Sequence, residues 1–229
     1  MSRHVGIVAC SAEGAALCYR TFCVEAGRRA GPYRHPEVSM HTHSLGEYMD
    51  LIDAGDWRAV ADLMLDSARK LAGAGAELLI CPDNTIHQAM DFAAPESPVP
   101  WLHIADEVVA AAVARGWRRL AVLGTKYLME GPVYSASAAK AGLAVVIPDN
   151  AQRRQINRII FEELVHGICL PDSRVFLNNV MASMKTSGCD AAVLGCTEIP
   201  LLVDPAAAPL PVLDSTRILA RAALREAMI

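Results

Sequence analysis

The segment LLICPDNTIH at residues 78–87 opens on three consecutive aliphatic residues and then breaks, at a Cys-Pro step, into a run of polar side chains. A short apolar run that ends in turn-forming residues reads as a strand covered on both faces, with the polar run lying where the chain leaves the sheet. VLGCTEIP at 193–200 repeats the pattern, passing from apolar residues through Gly195 to Cys196, Thr197 and Glu198. Outward from these two, comparable runs occur as HVGIVAC at 4–10, ELLIC at 77–81, VPWLHI at 99–104, RLAVLG at 119–124, LAVVI at 143–147, DAAVLG at 190–195 and LPVL at 210–213. Helical patterns fill intervals between them, at Trp57 to Ala74, Asp106 to Arg115, Ala151 to His166 and Ser173 to Ser187. This alternation predicts an α/β fold built on mainly parallel sheets.

The two halves of the chain also resemble one another. GIVACS ending at Ser11 matches AVLGT ending at Thr125, an offset of 114 residues. The Asp83 and Cys196 segments are offset by 113, and VPWLH ending at His103 matches LPVLD ending at Asp214 at an offset of 111. Three similar segments in one order at nearly constant spacing predict two pseudosymmetric α/β lobes. The expected first lobe comprises residues 1–98 plus 214–229 and the second residues 99–213. Ligands of open α/β sheets bind beyond the carboxyl ends of the strands. A substrate site in a cleft between the lobes is therefore expected, with Ser11 and Asp83 on one side and Thr125 and Cys196 on the other.

Composition limits the function. With 229 residues, 53% of them hydrophobic and 20% charged, the chain has the material for a packed core and does not resemble a disordered tail. A net charge of −4 argues against a phosphate-backbone binder. No apolar run reaches bilayer length and no secretory leader is visible, so a cytoplasmic protein without a membrane anchor is expected. Seven cysteines, an odd number without a CxxC pair, read as reduced and mostly buried thiols.

The chemistry concentrates at the two matched turns. Each carries one residue able to transfer a proton, Asp83 or Cys196. Each follows it with groups able to hold a carboxylate, Asn84 and Thr85 in one turn and Thr197 in the other. Ser11 and Thr125 stand at strand ends, where they either bind substrate or cap the following helix. His87 either orients a base or caps a helix, and Glu198 is placed to tune Cys196. His41 and His43 alternate on an expected strand without a carboxylate or cysteine at a recognisable spacing, so no metal is expected. AGAGAE at 72–77 lacks the GxGxxG arrangement, and no dinucleotide or pyridoxal site is read there. The arginine pairs at 28–29, 118–119 and 153–154 read as solvated entries to helices or strands.

LICPDNTIH, VLGTKYLME, INRIIFEEL and VLGCTEIPLLV resemble the corresponding segments of the aspartate/glutamate racemase superfamily, in its branch of cofactor-independent amino-acid racemases. The likeness runs from GIVACSAEGAALCYR near the start to LPVLDST near the end. It implies a two-base mechanism at an amino-acid α-carbon without a cofactor, and a homodimer. In the family the two bases are usually both cysteines. By resemblance Cys196 in GCTE takes the second position, whereas the first, immediately before Asn84-Thr85, is held here by Asp83. Cys81, two residues upstream, is the alternative, but the register of NTIH favours Asp83. A carboxylate and a thiol remain a workable acid/base pair. The resemblance favours aspartate or glutamate as substrate, with a neutral or wider range as the alternative because an ionised Asp83 repels an acidic side chain. Related carbon-acid enzymes (hydantoin racemase, maleate isomerase or arylmalonate decarboxylase type) and an inactive amino-acid-binding member are the competing readings.

Overall fold

The computed structural model describes residues 2–228, in two compact units, residues 2–104 with 216–228 and Ala105–Ser215. The elements run β1 (Val5–Ala9), α1 (Ala12–Ala30), β2 (Val38–Thr42), α2 (Leu45–Ala54), α3 (Trp57–Gly73), β3 (Leu78–Ile80), α4 (Met90–Glu96) and β4 (Trp101–Leu102). Then follow α5 (Ile104–Val113), β5 (Arg119–Leu123), α6 (Lys126–Glu130), α7 (Val133–Lys140), β6 (Ala144–Val146) and α8 (Asn150–Arg158). The chain ends with α9 (Pro171–Thr186), β7 (Ala191–Leu194), α10 (Ile199–Leu202), β8 (Val212–Asp214) and α11 (Ser215–Ala227).

The first unit holds a four-stranded parallel sheet in the order β2-β1-β3-β4. Every residue of β1 is buried, as its unbroken apolar sequence requires of a central strand. Ile7 faces α1 and α11, packing with Cys18, Phe22, Leu219, Ala223 and Leu224. The next residue back, Gly6, lies on the opposite face, where a Cβ would come within 3.2 Å of Leu71 on α3 and 2.6 Å of Leu79. Helices thus cover both faces, and each fully buried aliphatic residue between them contributes about 1.5–3 kcal/mol.

The second unit repeats the design, with a parallel sheet ordered β6-β5-β7-β8. Its core gathers Leu123 and Leu194 from the sheet with Ile156 from α8 and Leu177, Val180 and Met181 from α9. The two-lobed parallel α/β fold expected from the duplicated segments is the fold observed.

Boundaries differ from the sequence reading: the chain returns to the first unit after Ser215 rather than after 213, and two further differences have a visible cause. The first passage between units falls after Ile104 rather than at 98, because β4 pairs with β3 through Leu79↔Trp101 and Ile80↔Leu102. The helix expected through His166 stops being α-helical at Arg158, widens to a π turn over Ile159–Glu163 and tightens over Leu164–His166. The widened turn accommodates one more residue on the inner side. Ile159 and Ile160, adjacent in sequence, are both buried.

Candidate active site

In the first unit, β1 and β3 run parallel in the register Ile7↔Ile80, so the turns that follow them leave the same edge of the sheet. Ser11 and Asp83 are the residues of these turns. Ser11 Oγ accepts a hydrogen bond from the Gly14 amide at 3.2 Å and caps α1. Asp83 is half-buried, and its Oδ1 accepts from the backbone amides of Thr85, at 3.1 Å, and Ile86, at 3.4 Å. One carboxylate oxygen is therefore anchored by its own turn. Asn84 and Thr85 are buried beside it.

His87 is what fixes this turn in place. Its Nε2 accepts from the Ile104 amide at 3.2 Å, which leaves Nδ1 to donate to the Asp83 carbonyl at 2.7 Å. The ring thereby satisfies an otherwise orphaned N–H at the start of α5 and a carbonyl in the turn. Burial, followed by the neighbouring His103, lowers its pKa to about 3, against the pull of the Asp83 carbonyl. His87 is thus neutral.

Cys81 is fully buried, and burial followed by the charge of Asp83 raises its pKa well above the usual thiol value. It remains a thiol at neutral pH. The side chain of a second residue adjoins the turn: Tyr48 of α2 is fully buried, and its pKa is raised by burial first and then by Cys81, Cys10 and Asp83. Sequence reading did not select Tyr48, which lies 35 residues from Asp83 on a helix with no motif of its own.

In the second unit, β5 and β7 pair in the register Leu123↔Leu194, and the Gly195 amide donates to the Leu123 carbonyl at 2.7 Å. This brings the turns bearing Thr125 and Cys196 to one edge. Thr125 Oγ1 caps α6 by accepting from the Leu128 amide at 3.3 Å. Cys196 and Glu198 are buried, and the Cys196 thiol donates to Glu198 Oε2 at 2.9 Å. The hydroxyl of buried Thr197 donates to the same oxygen at 2.6 Å. A thiol held against a buried carboxylate has a partner for its proton. Tyr134 of α7, Asp214 and Ser215 complete the surroundings: Ser215 Oγ donates to the Leu194 carbonyl at 2.8 Å, and the buried Tyr134 phenol interacts with both Ser215 and Asp214.

The turn at Cys196 depends on glycine packing. A Cβ on Gly195 would lie 2.5 Å from Leu128 Cδ2 and 3.1 Å from the Leu123 carbonyl oxygen, and 3.7 Å from Tyr134. Gly195→Ala is expected to cost about 1–3 kcal/mol by overpacking. Urea denaturation checks the stability loss, and thiol alkylation rates check the displacement of Cys196. An unchanged unfolding midpoint would show that the turn relaxes freely.

The structure thus groups Ser11, Asp83, Asn84, Thr85 and His87 at one sheet edge and Thr125, Cys196, Thr197 and Glu198 at another. Ser11 and Thr125 both act as helix caps, whatever else they contact. Among the described residues no helix is long and apolar enough to cross a membrane.

A family model described as Asp/Glu/Hydantoin racemase matches residues 6–223. A Yersinia pestis protein solved as a candidate Asp/Glu racemase superposes with a TM-score of 0.91 at 32% identity, covering 99% of this chain and 100% of that one. An aspartate racemase homologue from Pyrococcus horikoshii OT3 superposes with a TM-score of 0.85 at 29% identity, with 100% of both chains covered. The broad specificity amino-acid racemase RacX of Bacillus subtilis (strain 168) is 22% identical over 161 residues, 69% of this chain and 68% of that protein.

Proposed function

The chain belongs to the Asp/Glu/hydantoin racemase family, and on that footing we propose that it is an amino-acid racemase working without a cofactor, with Asp83 and Cys196 as its two bases. In one direction the Asp83 carboxylate takes the α-proton from one face of the substrate and the Cys196 thiol delivers a proton to the other. The reverse direction begins from the Cys196 thiolate, with the carboxyl of Asp83 as the acid. The electron pair left on the α-carbon delocalises into the substrate carboxylate, where backbone amides and the hydroxyls of Ser11, Thr85 and Thr125 stabilise it. Glu198 takes up and returns the Cys196 proton between turnovers.

The observation that carries this reading is the pairing of Cys196 with Glu198 at 2.9 Å in a buried turn whose counterpart in the other unit presents an anchored carboxylate. The RacX likeness favours a broad amino-acid range, and the aspartate racemase homologue favours acidic substrates. A small amino-acid substrate, a cytoplasmic setting and a homodimer accompany the proposal. The test is proton NMR in D2O with a panel of L- and D-amino acids, following loss of the α-proton signal and the appearance of the opposite enantiomer. Exchange with inversion for at least one amino acid is expected. No exchange across the panel by folded protein would overturn the reading.

A second reading rests on the two amide bonds that Asp83 Oδ1 accepts. If capping the turn is the whole role of Asp83, the enzyme is a single-cysteine carbon-acid catalyst of the decarboxylase or isomerase type, and Asp83→Asn retains its activity.

A further inference from the structure

His41 and His43, two residues apart across the end of edge strand β2, meet Asp66 of α3. One ring nitrogen of each histidine and one carboxylate oxygen of Asp66 all lie within 4.8 Å of one another. The two rings contact edge to face with centroids 5.1 Å apart. We propose that His41, His43 and Asp66 form a binding site for one divalent transition-metal ion of the zinc class, built from side chains other than those assigned to catalysis and independent of the racemase reading.

The donor set and its surroundings support this. Two imidazoles and one carboxylate suit zinc, cobalt or nickel rather than magnesium or calcium, which prefer all-oxygen shells. His43 Nε2 lies 2.7 Å from Asp66 Oδ2, and its other nitrogen, Nδ1, lies 3.5 Å from Glu47 Oε2 on α2. A proton kept on Nδ1 by Glu47 places the ring's lone pair on Nε2, beside Asp66. This is the carboxylate–histidine arrangement that commonly orients metal-binding rings. His41 Nδ1 is bonded to the buried Ser67 Oγ at 2.9 Å, so with its proton there the lone pair of His41 falls on Nε2.

In the metal-free chain His43 Nε2 lies 2.7 Å from Asp66 Oδ2, and Lys70 Nζ lies 2.6 Å from the same Asp66 oxygen. Both Lys70 and Asp66 are about half exposed, so that ion pair is of little net worth and Lys70 can swing into solvent. The bound ion ties edge strand β2 to α3 and, through Glu47, to α2.

The experiment is titration of chelator-treated, full-length protein with zinc by calorimetry and with cobalt(II) by visible absorption. About one equivalent per chain is expected, with the d–d bands of nitrogen and oxygen ligation and a rise in Tm. His43→Ala and Asp66→Asn should each weaken binding by about 100-fold or more, Glu47→Gln by about 10-fold, and Lys70→Ala should strengthen it. The chain has seven cysteines, so thiolate-to-cobalt charge transfer that survives His43→Ala would place the ion on sulfur and overturn the proposal. No binding, or binding unchanged in both His43→Ala and Asp66→Asn, would overturn it too. Should His43→Ala fail to fold, Asp66→Asn and Lys70→Ala, which alter exposed groups, decide the matter.

Discussion

Replacing Cys196 or Asp83 by alanine is expected to abolish racemisation in both directions, with a loss of at least about 1,000-fold in turnover, because in the proposed mechanism each direction uses both groups, one as base and the other as acid. The two variants should differ in what survives. Without Asp83, Cys196 can still remove the proton facing it and return a solvent deuteron to the same face, so one enantiomer washes out its α-proton without inverting. Without Cys196, Asp83 does the same for the other enantiomer. Proton NMR in D2O coupled to chiral chromatography reads both outcomes. Complementary washout would establish two bases on opposite faces. If Asp83→Asn and Asp83→Ala both keep full inversion, the carboxylate is a turn cap and the two-base proposal fails. Cys81→Ser should retain activity, since that thiol is sealed in the core and held protonated. Loss of activity there in a folded protein would reassign the first base to Cys81.

Acid should destabilise the protein through His87 well above the pH at which its carboxylates titrate. The imidazole titrates near pH 6.5 in an unfolded chain and at about 3 in the folded one. Between these values the unfolded chain binds a proton that the folded chain does not. The stabilisation is therefore complete above about pH 6.5 and is lost progressively as pH falls toward 3, amounting to about 5 kcal/mol across the window. The cause is geometric: protonation puts a hydrogen on Nε2, where the Ile104 amide already donates, and places a charge in the core beside His103. Asp66 and Asp190, whose pKa values are lowered by Lys70 and by the Arg118 amide respectively, add their acid sensitivity only near and below pH 4. Urea midpoints at pH 7, 6 and 5 should fall steadily in the native protein. His87→Gln should begin lower at pH 7 and vary less over that range. Parallel curves for the two proteins would show that His87 is not the titrating group. His41, whose pKa is also lowered, is common to both and cancels in the comparison.

Several features were legible in the sequence for a physical reason. A strand buried on both faces must be apolar throughout, and the chain must become polar where it leaves the sheet. LLICPDNTIH and VLGCTEIP therefore reveal both the strands and the edge at which chemistry collects. The repeated offsets near 114 anticipated two sheets with the same strand order. Helix ends were less legible. The start of α5 is set by a hydrogen bond that the Ile104 amide donates to His87, 17 residues away, and the π turn at Ile159–Glu163 answers to core packing rather than to local propensity. His87 itself was read as orienting a base or capping a helix. It does one thing that bears on both, joining the Asp83 carbonyl to the first amide of α5.

The sequence by itself determined what depends on neighbours along the chain: the parallel α/β class, the duplication and the residues of the two turns. Tertiary structure decided what depends on groups brought together from afar. It alone put Glu47 and Asp66 beside His43, Tyr48 beside Asp83, and Tyr134 and Ser215 beside the Cys196 turn. The reason is that periodicity reports which face of an element is buried but carries no record of which other element will cover it. Ionisation follows the same division. A thiol or an imidazole has its ordinary pKa in the sequence, and only burial and the charges packed around it push the Cys81 thiol up and the His87 imidazole down.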